Sequence, residues 1–312
     1  MVSDTRNFLR DVIPFIALLA LACKGRSTPI PDLVDAGSLA EATRPCDETL
    51  RCESFDSDED VLRSILALHP TILAMGESHA PKGAPRVPDT AERVLKLLPS
   101  LPKRTTSFLL ELWLAPPRCS KVVAATQSAQ KEITALQAPT VQNHYVLLAK
   151  AAEASGVRAK FLEPTCQDLE GISDAGTGDV DAMLRLVRRK TESDIVESLG
   201  RANRTSAQPD GGEQADRDPL VVAFGGALHN DAAPREGREA WTFGPTLMRA
   251  HGTRYIELDW VVPEFVSDAP HWKALSWVPH FSFAKHGSRP IRIEVSPNSY
   301  VVIFGRTASR AP

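Results

Sequence analysis

The chain has little excess charge of either sign and few aromatic rings. Acidic and basic residues nearly cancel, leaving a net charge of -3 over 312 residues, and they are interspersed along the sequence. Such a balance describes a solvated surface and gives no reason to expect a nucleic acid or an acidic polymer as partner. An aromatic content of 6% argues against a carbohydrate-binding or base-stacking face. Cys-x-x-Cys spacing is missing, which removes thiol-redox chemistry and a zinc ribbon. There is no Gly-x-Ser-x-Gly elbow, phosphate-binding Walker loop, dinucleotide fingerprint or His-Glu-x-x-His pair.

Long apolar runs are missing too. The one near the N-terminus, Val12 to Ala22, falls short of the roughly 20 residues a membrane-spanning helix needs. It has the length of a signal-peptide core, preceded by Arg6 and Arg10. It ends in Leu19-Ala20-Leu21-Ala22-Cys23, which resembles a bacterial lipobox. Residues 1–23 are therefore expected to be a signal peptide, with Cys23 lipidated and holding the protein to a membrane. The expected location is the periplasm or the cell surface. Residues 24–56 are polar, carry Pro29, Pro31 and Pro45, and read as a tether. Four cysteines remain: Cys46, Cys52, Cys119 and Cys166. An even number in an exported chain permits two disulfides, and the nearest pair in sequence is Cys46 with Cys52.

What is present in quantity is apolar residue, 43% of the chain, enough for a substantial core. From residue 57 to 305 strand-like and helix-like patterns alternate. Ser57 followed by Asp60 caps a helix carrying Val61, Leu62 and Ile65. Strand-like runs follow at Thr71–Met75, Ser107–Leu110, Val157–Leu162, Leu220–Phe224 and Arg254–Leu258. Helices are expected from about Asp89, over 121–136, over 141–154 with Gly156 as the stop, over 180–199, and over 245–250. Ile291–Val295 and Tyr300–Phe304 read as a hairpin around Pro297-Asn298. Residues 203–218 read as a surface loop, and 270–290 as a packed surface segment. Apolar strands alternating with helices predict one α/β domain, with a mixed, mostly parallel central sheet flanked by helices on both faces.

In such sheets ligands bind at the carboxyl ends of the strands. There the chain places Gly76-Glu77-Ser78-His79, then Glu111, Glu163, Gly225 to His229 with Asn230-Asp231, and Glu257 with Asp259. A lone histidine after a strand is more often a cap than a ligand. Glu111, at the end of an apolar run, is harder to dismiss, because a buried carboxylate is costly unless paired. Glu77, His79, Glu111 and His229 are the candidate catalytic residues. Gly76, Gly225, Asp231 and Glu163 are candidates for contacts to a ligand or cofactor. His79, His229 and Glu111 are the candidate donors to a divalent metal. Glu257 and Asp259 flank Leu258 and would share the opposite, solvated face. Ile72–Gly76 before His79 and Val221–Gly225 before His229 also resemble one another.

The order of these motifs resembles the ChaN-like and erythromycin-esterase-like superfamily, which includes the Tiki/TraB proteins. The resemblance covers about residues 70–260. One residue between Glu77 and His79 matches the ChaN-like pattern, whereas the esterases typically have two. It implies a mixed sheet with a strand-end site, and Glu77, His79, Glu111 and His229 carry over by motif. ChaN-like members are often lipoproteins, one of them haem-binding and linked to iron uptake; esterase members activate water with Glu and His; Tiki members are metal-dependent proteases. This chain has Ala80-Pro81 where ChaN-like proteins usually have Asp-Asn, and no tyrosine near Gly76. Three expectations follow. One is a hydrolase of an ester or amide in a small molecule or peptide, with or without a divalent metal. The others are a haem- or metal-binding lipoprotein without catalysis, and a degenerate member.

Overall fold

A computed structural model describes residues 44–114, 117–119, 123, 137–138, 141–173, 180–205 and 218–307. The expected signal peptide, Cys23 and most of the tether lie outside the described residues, as do nearly all of the helix expected over 121–136 and most of the loop at 203–218. Eight strands form one sheet: β1 (Arg51–Ser54), β2 (Ile72–Glu77), β3 (Thr105–Trp113), β4 (Arg158–Leu162), β5 (Leu220–Gly226), β6 (Tyr255–Val261), β7 (Ile291–Ser296) and β8 (Ser299–Ile303). Their order is β1-β7-β8-β6-β2-β5-β3-β4. The block from β8 to β4 is parallel, while β7 runs antiparallel to β8 and to β1. This is the mixed, mostly parallel α/β sheet that the alternating apolar runs predict.

The α-helices among the described residues are α1 (Asp58–Leu66), α2 (Thr90–Leu97), α3 (Val141–Ala154), α4 (Cys166–Ser173), α5 (Val180–Thr205), α6 (Gly244–His251) and the single turn α7 (Pro270–Lys273). Ser57 caps α1 by accepting the Asp60 amide at 3.1 Å, and Asp89 caps α2 through the Glu92 amide at 2.9 Å. These bonds satisfy amides that the first helical turn leaves free.

The central strand β2 sorts the core into two layers by alternation. Leu73 and Met75 join Phe108, Leu110, Val222 and Phe224 beneath Leu148 and Ala152 of α3. Ile72 and Ala74 join Leu109, Val221 and Ala223 beneath Ile195 of α5 and Leu247 of α6. Both faces are covered, which is why the strands read as continuous apolar runs.

Two features depart from the reading by sequence. Residues 44–56 are not wholly tether. Arg51–Ser54 pair with β7 as a short edge strand, and Cys46 bridges to Phe281. Three polar residues around a single cysteine leave no apolar run to signal such a strand. The second feature concerns Glu257 and Asp259, which do share a face opposite Leu258, but that face is not solvated. The segment after His229 lies over it: Glu257 accepts the Ala232 amide at 2.8 Å, Asp259 accepts from Asn230 at 2.8 Å, and Glu257 is only 6% exposed.

Disulfides join Cys46 to Cys52 and Cys119 to Cys166. Such bonds persist in oxidising compartments, which indicates an extracellular or periplasmic location. Among the described residues no helix is long and apolar enough to cross a membrane.

Candidate active site

β5 lies between β2 and β3, so the ends of three strands meet at one place on the rim. The two glycine–histidine motifs that resemble each other in sequence are neighbours in space. Ile72 pairs with Val221, and the register holds through Gly76 with Gly225. His79 and His229 therefore leave adjacent strands side by side.

Each histidine has a carboxylate partner, and the partners come from opposite faces. Glu77 continues the Leu73, Met75 side of β2. Its Oε1 lies 2.7 Å from His79 Nδ1 and accepts the Tyr145 hydroxyl at 2.7 Å. Glu111 continues the Leu109 side of β3. Its Oε2 accepts the Gly226 amide at 2.7 Å, and its Oε1 stands 3.5 Å from His229 Nε2. His229 donates from Nδ1 to the Trp241 carbonyl at 2.7 Å, which fixes the ring and turns Nε2 toward Glu111. The two pairs converge over Gly226. A Cβ added there would lie 3.6 Å from both His79 Nε2 and Glu111 Oε2, and 4.0 Å from the His229 ring.

The glycines are explained by what covers them. A Cβ on Gly225 would collide with Glu111, and one on Gly76 would collide with the Asp259 carboxylate and Ala227. On that face of the sheet two carboxylates lie over neighbouring glycines. Asp259 Oδ1 accepts from Asn230 Nδ2 at 2.8 Å, and the same amide group reaches the Ala74 carbonyl at 3.1 Å.

Electrostatics follow from this crowding. Burial disfavours charge on His79, but the Glu77 carboxylate against it, with Glu111 and Asp89 nearby, raises it to about 9. His229 is raised as well, Glu111 outweighing its burial. Burial works against the Glu111 carboxylate, but the two imidazoles and the Gly226 amide hold it below the usual range. His79 is therefore an imidazolium and Glu111 a carboxylate at neutral pH. Burial pushes Asp259 up to about 7, and burial with the nearby Asp259 charge pushes Glu257 well up.

Glu77, His79, Glu111, His229, Gly76 and Gly225 are thus brought together. Glu163 is not: it is exposed at the end of the edge strand β4. Asp231 stands beside the site rather than in it, with its carboxylate accepting the Ala233 amide at 2.9 Å. Tyr145 escaped the sequence reading. It is 3% exposed on an apolar helix face and reads as core, while its hydroxyl partner is 68 residues away. His144 beside it bonds Asp89 at 2.7 Å.

The donor set does not suit a metal. Among the described residues no three His, Cys, Asp or Glu side chains are arranged to hold one ion. At His79, His229 and Glu111 the nitrogens and oxygens face one another in pairs. Haem does not fit within the site either. The cavity lined by Glu111, Gly226, His229, Asn230 and Thr191 measures about 10 Å³, close to one water molecule.

No family model matches the chain, and no curated protein matches it. Two solved structures are similar at low identity. The type III effector HopBA1 is 9% identical with a TM-score of 0.38, covering 84% of this chain and 100% of its own. A protein from Bacillus cereus is 12% identical with a TM-score of 0.32, covering 68% of this chain and 72% of its own.

Proposed function

We propose that this is a water-activating hydrolase of an ester or amide, of the ChaN-like and erythromycin-esterase-like kind. One observation carries the reading: two carboxylate–imidazole pairs from opposite faces of the sheet point at the same glycine. A water held against Glu111 loses a proton to the Glu111–His229 pair as its oxygen attacks the substrate carbonyl. His79, its Nδ1 proton fixed on Glu77, presents Nε2–H to the oxyanion that forms. Collapse of that intermediate breaks the bond to the leaving group, which takes back the proton held by Glu111 and His229. The products are a carboxylic acid and an alcohol or amine. No step passes through a metal or haem, whose fit the donor set does not support.

The pH profile follows from the sign of each shift. Activity rises as the Glu111–His229 pair gains capacity to accept a proton, and falls as His79 loses its own near pH 9. Initial rates on 4-nitrophenyl acetate and on a peptide anilide, taken from pH 5 to 10, read this out. A descending limb near 9 that disappears in His79→Gln supports the reading. No turnover of any ester or amide by the folded wild-type protein rejects it.

The same reading places the domain on a membrane through lipidated Cys23. Expressed in bacteria with its N-terminus intact, the protein should enter the detergent phase, and Cys23→Ser should not. Equal partitioning of the two would remove the anchor from the proposal.

A further inference from the structure

The two imidazoles of the site are held in unlike ways. His229 Nδ1 bonds the Trp241 carbonyl, a main-chain atom fixed by the fold. His79 Nδ1 bonds Glu77 Oε1, the end of a side chain with several rotatable bonds. A carboxylate on such a chain orients a ring only if it is oriented itself.

Tyr145 of α3 supplies that hold. Its hydroxyl donates to the same Glu77 Oε1, at 2.7 Å. Glu77 is 4% exposed and Tyr145 3%, so water does not compete for the bond. Burial, with the Glu77 charge beside it, pushes the Tyr145 hydroxyl well above the usual tyrosine range and keeps it a donor. An ionised carboxylate only accepts, so His79 must donate from Nδ1, which leaves Nε2 for the space over Gly226.

The hydroxyl is itself pinned. The Tyr145 ring packs on Phe224 of β5, with centroids 5.3 Å apart, and stands 6.4 Å from the His79 ring. The preceding residue, His144, bonds Asp89 Oδ2 at 2.7 Å, while Asp89 Oδ1 caps α2. Around this hydroxyl α3 is joined to β5, to the start of α2 and to the end of β2.

We propose that Tyr145 is a positioning residue: by holding Glu77 Oε1 it fixes the ring orientation and the Nδ1–H tautomer of His79. Buried as it is, it acts through Glu77 rather than on the substrate. Its effect on rate rests on the hydrolase reading, but its hold on His79 is measurable without substrate.

Tyr145→Phe keeps the ring on Phe224 and deletes only the hydroxyl. Proton NMR of the full chain with 15N-labelled histidine, at pH 7 and without substrate, reads the result. Wild type should show a slowly exchanging His79 Nδ1 proton with a nuclear Overhauser cross-peak to the Tyr145 hydroxyl proton, since both lie on one oxygen. In Tyr145→Phe the Nδ1 proton should exchange with water about tenfold faster or more. On 4-nitrophenyl acetate kcat should fall by roughly tenfold with KM nearly unchanged, the lower end of what a lost hydrogen bond to a charged group costs. A tyrosine that merely packs would move neither reading. The role is rejected if wild type lacks the cross-peak, a criterion that holds even where the variant fails to fold. It is rejected too if Tyr145→Phe protects the His79 proton as wild type does, or turns over substrate with wild-type kcat. Faster exchange in the variant, with no hydrolysis by wild type, would leave the hold on His79 standing and count against the reaction alone.

Discussion

Glu111→Gln should lower kcat by about a thousandfold, within the range general-base catalysis contributes. Glutamine keeps an oxygen to accept the Gly226 amide, now 2.7 Å from Glu111 Oε2, and fills the same space above Gly225. What it cannot do is take a proton from water. Its amide is also uncharged, so His229 loses the carboxylate that favours its protonated form. The second proton acceptor of the pair is weakened with the first. Thermal unfolding should be nearly unchanged, which separates lost chemistry from lost structure. A folded Glu111→Gln protein with wild-type kcat would reject the base role outright.

The second large effect concerns stability and carries a definite sign. Asp259 is raised to about 7 in the folded protein, against an ordinary value of 3.8. A carboxyl raised on folding favours the native state while it is protonated. That contribution is fully present below pH 4 and is lost as the pH rises through about 7. Asp259→Asn keeps an oxygen for Asn230 and removes the charge. It also relieves Glu257, which the Asp259 charge pushes up. The variant should match wild type at pH 4 and exceed it by roughly 2–4 kcal/mol at pH 8. Urea unfolding at the two pH values checks this. An equal difference at both, or a less stable variant at pH 8, would show that Asp259 is not held protonated.

Much of the frame was legible in the sequence because it depends on local pattern. Leu220–Phe224 is apolar at every position, so it had to be a strand covered on both faces. Ser57 with Asp60 announced a helix start. Glu111 stood out because an apolar run rarely ends in an unpaired carboxylate. Strand order was not legible. Alternating strands and helices do not reveal that β5 inserts between β2 and β3, and that insertion makes His79 and His229 neighbours. The same gap hid the partner of Cys119, which needs β3 and β4 side by side. It also misassigned Glu257: alternation on β6 gives which residues share a face, but not whether anything covers it. Tyr145 was hidden by its own apolarity, since a ring on a helix face reads as core whatever its hydroxyl touches.

The late arrival of β5 has a consequence for the growing chain. Glu77, His79 and Glu111 are synthesised early, but the strand that brings the Gly226 amide and His229 to them begins only at Leu220. His229 then needs Trp241 to hold its ring. A nascent or truncated chain ending before that point contains half of each pairing surface and no working centre. Under the proposed hydrolase reading, hydrolysis of a chromogenic ester would report completed long-range assembly of the sheet, rather than the presence of the polypeptide.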